Sequence, residues 1–161
     1  MRYYAGIGSR ETPNDILSLM TAIAEHLRDN DWVLRSGGAK GADSAFEIGA
    51  NDKKEIFLPW PNFNGNQSLF DGKNFVYKKE HIILAKDFHP NFNNLNQAAK
   101  KFMIRNSAQI IGKSKEDTCS SFVICWTKNG KFSGGTGQAL RIAESLNIRI
   151  YNLYFEGKVK H

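Results

Sequence analysis

Two glycine-rich stretches hold the residues best suited to chemistry. They are Ser36-Gly37-Gly38-Ala39-Lys40-Gly41-Ala42-Asp43 and Ser133-Gly134-Gly135-Thr136-Gly137-Gln138. The first follows the apolar pair Val33-Leu34; the second follows Phe122-Val123-Ile124-Cys125-Trp126 after a short polar spacer. Each opens a helical pattern. Glycines at a strand-to-helix turn let backbone approach a ligand closely, and the helix N-terminus behind them offers unpaired N–H groups and partial positive charge. A phosphate or carboxylate is the natural guest. Gly6-Ile7-Gly8-Ser9-Arg10 is a third turn of this kind. Neither main stretch is a P-loop, because no Lys-Ser/Thr pair follows its last glycine.

Around these turns stand side chains that could complete a site. Arg10, Lys40 and Arg105 could neutralise an anion, with Asn106 beside Arg105, while Ser9, Thr127 and Thr136 supply hydroxyls. Asp43 could contact the ligand or complement its own helix N-terminus. Trp60, between two prolines, could stack on a base or form an apolar rim, and Tyr4 is a second aromatic for that role. Glu47 and Glu144 are the acids near the turns that could act catalytically, although each equally suits a solvated helix surface. The ligand-contact set is therefore Gly8, Ser9, Arg10, Ser36, Gly37, Gly38, Lys40, Gly41, Asp43, Trp60, Arg105, Asn106, Thr127, Gly134, Gly135, Thr136 and Gly137.

Alternating elements must position this set. Residues 2–8 read as a strand. Thr12 as a hydroxyl cap, Pro13 in the first turn and an acid behind it start a helix over 14–29, with Ile16, Leu19, Met20, Ile23 and Leu27 at helical spacing. A strand over 31–35, a helix over 40–50 with Ala42, Ala45, Phe46 and Gly49 on one face, and a strand over 55–58 follow. Residues 61–79 have no clear period, and a loop of that length is functional or mobile. Residues 81–85 fit a strand or a helical piece. A helix over 94–111 carries Ala98, Phe102 and Met103 near one face; then come a strand over 121–126, a helix over 135–146 and a strand over 149–153. This order predicts an α/β, Rossmann-like doubly wound, mainly parallel sheet with helices on both faces. Ligands of such sheets bind at the carboxyl ends of the strands, where the turns fall.

Composition narrows the class. At 161 residues, a single domain over 1–161 is expected. No apolar run approaches the roughly 20 residues of a membrane span, so no membrane partner and a cytoplasmic residence are expected. Two cysteines, Cys119 and Cys125, make no disulfide framework, and Cys125 reads as a buried thiol. His26, His81, His89 and His161 share no ligand spacing, so neither a metal nor a cofactor is expected. A net charge of +6 suits polyanionic partners, but its lysines are spread along the chain as on a solvated surface. The aromatics Phe63, Phe70, Phe75 and Tyr77 could pack within their loop or cover a neighbour, which suggests a homo-oligomer.

Together, Gly6-Ile7-Gly8-Ser9-Arg10, the 36–43 turn, and Arg105-Asn106 ahead of Ile110-Ile111-Gly112 and Ser114 resemble the Rossmann-like core of the DNA-processing protein A family. There a Gly-Ser-Arg turn precedes a Ser-Gly-x-Ala-Arg-Gly-x-Asp turn. The resemblance covers most of residues 3–153 and implies a stand-alone core of the SLOG superfamily, without the further domains of full-length DNA-processing proteins. That superfamily also contains the "lonely guy" phosphoribohydrolases, whose Pro-Gly-Gly-x-Gly-Thr-x-x-Glu turn is similar to residues 133–141. Here Arg141 holds the acid position and Glu144 lies three residues on. The phosphate seat is thus implied more directly than the hydrolysis. The expected partner is a nucleotide or nucleotide-derived small molecule, sensed or sequestered. The alternatives are a single-stranded DNA-binding module and an N-glycosidic hydrolase of nucleoside monophosphates.

Overall fold

The computed structural model describes residues 1–156; residues 157–161, including His161 and the end of the expected 1–161 domain, lie outside the described residues. Five strands form one sheet: β1 (Arg2–Gly6), β2 (Trp32–Ser36), β3 (Lys54–Ile56), β4 (Phe122–Cys125) and β5 (Arg149–Asn152), in the order β3-β2-β1-β4-β5. Every pairing is parallel, with Tyr3 beside Val33, Ala5 beside Val123, and Val123 beside Ile150. The helices are α1 (Asn14–Asp29), α2 (Ala42–Ala50), α3 (Lys79–Asp87), α4 (Gln97–Ile111), α5 (Gly134–Ser145) and the short α6 (Leu153–Glu156). This is the α/β, Rossmann-like architecture.

The period of two along each strand divides the core. Tyr4, Leu34 and Ile124 face Met20, Ala24, Ala42 and Phe46, the buried stripes of α1 and α2. Ala5, Ile7, Val123 and Cys125 face the opposite way, onto Ile110 and Ile111 of α4 and Ala139, Leu140, Ile142 and Ala143 of α5. Tyr4 is therefore a core residue, 1% exposed, and not a base contact. Cys125 is buried too, which pushes its thiol up to about 12.

Several boundaries differ from the sequence pattern for identifiable reasons. Pro13 is the N-cap of α1, while the Thr12 hydroxyl bonds backward to the Ser9 carbonyl at 2.6 Å. Leu19 and Ala98, expected on buried faces, are exposed. Residues 81–85 are helical, inside α3, and α4 begins at Gln97 because the Asn96 side chain caps it by accepting from the Ala99 N–H at 2.8 Å.

The 61–79 segment is held to its own chain. Leu58 N–H donates to the Phe70 carbonyl at 2.8 Å, and the Tyr77 hydroxyl donates to the Leu58 carbonyl at 2.6 Å. Phe70 packs 5.1 Å from Phe57 and 5.4 Å from Phe75, ring centre to ring centre. The strap covers the edge of the sheet beyond β3, an edge that would otherwise present unpaired backbone to other chains. Its rings are engaged internally.

On the α4 face, Arg35 of β2 is fully buried. It pairs with Glu55 at 3.1 Å and Asp117 at 3.3 Å, donates to the Thr118 carbonyl at 2.7 Å, and lies over the Tyr3 ring at 3.9 Å. This knot ties the 112–120 loop to three strands.

Candidate functional site

Strand order reverses between β1 and β4, which is where a doubly wound sheet opens a crevice. The loops leaving these two strands stay in contact, with Ser9 N–H reaching the Trp126 carbonyl at 3.4 Å. Above them lies a cleft of about 520 Å³. Gly8, Ser9 and Arg10 border it after β1, Asp43 from α2, Arg105 and Asn106 from α4, Thr127 after β4, and Gly134, Gly135 and Thr136 at the start of α5. Five separate stretches of chain thus meet around one space. Gly8 is small for a reason: a Cβ there would lie 2.7 Å from the Ala42 Cβ, too close for the turn to pack on α2.

The α5 end of the cleft is a helix N-terminus without a side-chain cap. Ser133 is the N-cap but makes no side-chain capping bond. The first N–H groups of a helix have no intrahelical acceptor, so those of Gly134, Gly135 and Thr136 are left to the cleft. Gly134 takes a left-handed φ of +64°, which orients this turn. Arg10 and Lys128 stand exposed on the rim, with Lys128 3.5 Å from Glu11.

The α2 turn, by contrast, is filled by the protein itself. Asp43 is buried, and its carboxylate accepts the Ala39 N–H at 3.2 Å. Burial pushes its carboxyl up to about 6, partly offset by the charge of Arg105 and by the Ala39 amide. Ser36 is buried with its hydroxyl donating to the Gly6 carbonyl at 2.6 Å. The Gly37 carbonyl accepts from Arg105, and the Gly38 carbonyl accepts from Asn66 at 2.8 Å. Gly41 backs onto Ser9 and Arg10, where a Cβ would sit 3.1 Å from backbone atoms. Ser36, Gly37, Gly38 and Gly41 therefore build the wall and do not line the cleft. Lys40 is exposed beside the turn but is not a lining residue either.

Arg105 is buried, and burial lowers its affinity for the proton. Its guanidinium donates to the Gly37 carbonyl, to the Phe57 carbonyl at 3.3 Å and to the Asn106 side-chain oxygen at 3.0 Å. Asn106 in turn donates to the Gly135 carbonyl at 3.1 Å and the Gln138 side-chain oxygen at 3.2 Å. This pair joins the β2 turn, the end of β3 and the start of α5. It holds the walls at their spacing.

Other expected residues lie elsewhere. Trp60 is half-buried, edge-on to Phe63 at 5.4 Å and Phe102 at 5.1 Å, behind the cleft wall. Gly137 packs on the Phe132 backbone, with an added Cβ only 2.4 Å from its carbonyl carbon. Glu47 pairs with Lys54 at 2.8 Å on the outer surface of α2, and Glu144 borders a separate groove with Asn147 and Ile148. Neither is near the cleft. Arg141 clamps the Phe88 and Phe132 carbonyls from 3.1 to 3.3 Å.

The sequence reading missed one wall. Ala99, Phe102 and Met103 share helical spacing with the expected Asn106 and turn the same face of α4 to the cleft, joined by Phe63 and Gln109. Their periodicity was the available signal.

No protein-family model and no curated protein sequence matches the chain. Among solved structures, it is similar to DNA processing protein A from Helicobacter pylori, in a structure concerned with that protein's single-stranded DNA binding mode. The TM-score is 0.60 at 21% identity, over 92% of this chain and 63% of that one. The likeness is one of fold. Among the described residues no helix is long and apolar enough to cross a membrane.

Proposed function

We propose that the cleft binds a phosphate-bearing, nucleotide-derived ligand, and that the domain is of the SLOG type. The observation that carries this reading is the uncapped α5 N-terminus opening onto the cleft opposite Arg10. Backbone N–H groups there supply directed donors, the helix dipole favours negative charge, and Arg10 supplies a mobile countercharge. Phe102 and Met103 give the same space an apolar wall suited to a base.

A second reading, single-stranded DNA as the ligand, draws support from the protein whose fold this chain shares. It uses the same seat for one backbone phosphate, with Lys128 and neighbouring basic residues tracking the rest. Calorimetry separates the two. Mononucleotides, a dinucleotide and inorganic phosphate are titrated beside a 15-nucleotide oligonucleotide at several salt concentrations. Saturable binding of small nucleotides, lost in Arg10→Ala, supports the first reading. Binding confined to the oligonucleotide and weakening steeply with salt supports the second. No binding of either class overturns both.

A further inference from the structure

Two acids border the cleft, and their surroundings are opposite. Glu11 is exposed and faces Lys128. Asp43 is 5% exposed, at the N-terminus of α2. Buried carboxylates are ordinarily held by an ion pair, because taking the charge out of water is costly. Arg105 is a buried cation that acts on Asp43, yet its guanidinium donates to the Gly37 and Phe57 carbonyls and to Asn106. Among the described residues no ion pair joins the two. Asp43 is thus held by hydrogen bonds from the Ala39 and Gly37 N–H groups and the Ser36 side chain, without a direct ion pair, in the wall of a space whose other features favour anions.

We propose that Asp43 is a protonation switch on this cleft: ionised, it opposes an anionic ligand, and neutral, it admits one. The inference rests on the reading that the cleft takes a phosphate-bearing ligand, and it adds how that binding is regulated. A carboxyl that burial has already moved to about 6 gains a proton when an anion arrives, so binding and protonation favour each other. Affinity for an anion therefore rises as pH falls.

Of the charged groups around the cleft, Arg105 acts directly on Asp43, and the others stand on the elements around it. Arg10 and Glu11 lie on the β1–α1 loop, Lys40 in the preceding turn, Arg105 on α4 and Lys128 after β4, while Tyr77 acts on Arg105 from the strap. Among the described residues no histidine lines the cleft.

The probe is the dinucleotide thymidylyl-thymidine, whose one phosphodiester keeps its charge across the range tested. Its affinity is measured by calorimetry from pH 5 to pH 8, in two buffers of different ionisation heat that report proton uptake. The expected result is roughly ten-fold tighter binding at pH 5 than at pH 7.5, with net proton uptake near pH 6. Asp43→Asn is expected to bind at pH 7.5 as tightly as the native protein does at pH 5, with a flat profile. Should the variant fail to fold, proton uptake by the native protein is the deciding readout. Binding of constant strength without proton uptake overturns the switch and leaves the ligand reading standing. A pH profile that persists in Asp43→Asn overturns the assignment to Asp43. No binding at any pH overturns the ligand reading and the switch together.

Discussion

Replacing Gly135 by aspartate separates folding from anion binding at the α5 turn. Gly135 does not occupy the left-handed region, unlike Gly134 beside it. A Cβ at 135 would meet the Met103 terminal methyl at 3.5 Å and the Asn106 side-chain nitrogen at 3.6 Å, which are ordinary contacts. The new carboxylate lies in the first turn of a helix that has no side-chain cap, where negative charge stabilises by roughly 0.3–1 kcal/mol. The empty protein should therefore melt at the same temperature or higher. A ligand phosphate in this seat would come within about 4 Å of that carboxylate. At an effective dielectric near 20, the repulsion is about 4 kcal/mol, or three decades in affinity. Gly135→Ala adds the methyl without the charge and should bind within a few-fold of the native protein. Thermal melting without ligand, and calorimetry with the dinucleotide, read the two effects separately. Gly135→Asp that melts as expected yet binds within ten-fold of native would refute the placement of the anion at α5.

Further outcomes follow from buried groups. The Tyr4 hydroxyl is buried without a hydrogen-bond partner, so Tyr4→Phe should raise stability by about 1 kcal/mol in urea unfolding. A loss of similar size would mean that the hydroxyl is satisfied. Arg35→Met removes the buried partner that Glu55 and Asp117 share and should cost about 3–5 kcal/mol by the same measurement, whereas a neutral result would refute the knot. His81 is held neutral: its Nδ1 accepts the Lys78 N–H at 2.9 Å, its Nε2 lies 2.8 Å from the Gly112 carbonyl, and burial lowers its affinity for protons. The unfolded chain then binds the extra proton, so this contribution is complete above about pH 6.5 and is lost as pH falls. Asp43 acts with the opposite sign, because its raised carboxyl disfavours the folded state as pH rises through about 6. Unfolding midpoints from pH 5 to pH 7.5 should accordingly slope less in His81→Gln than in native protein, and more in Asp43→Asn.

The fold was legible because each element carried its own period. The stripe in α1 apart from Leu19, the small face Ala42, Ala45, Phe46 and Gly49 of α2, and the apolar run of β4 lie where their spacing puts them. Residues 81–85 were ambiguous because α3 is nine residues long and half-exposed, with Ile82 and Ile83 turned outward. The strap of 61–79 was opaque because its order comes from long-range contacts, such as Tyr77 to Leu58, that no local pattern encodes. The site was legible at the level of turns and less so at the level of side chains. Residue type does not reveal whether Arg105 donates to carbonyls inside the wall or to a guest in the cleft.

The two glycine turns show why motif and site are separable. Both place donors at the start of a helix, and both resemble phosphate seats when written out. In the turn before α2, however, the chain supplies its own anion, since Asp43 accepts the Ala39 N–H and the neighbouring Gly37 carbonyl is held by Arg105. That turn is largely satisfied before any ligand arrives, and a phosphate entering it would have to displace a carboxylate. Before α5 no side chain plays that part: Ser133 makes no capping bond, and an added Cβ on Gly134 would meet nothing within 4 Å. A glycine-rich helix start thus serves structure on one side of the cleft and leaves its donors unused by side chains on the other. The difference lies in one acid, present in the first turn of α2 and absent from the first turn of α5.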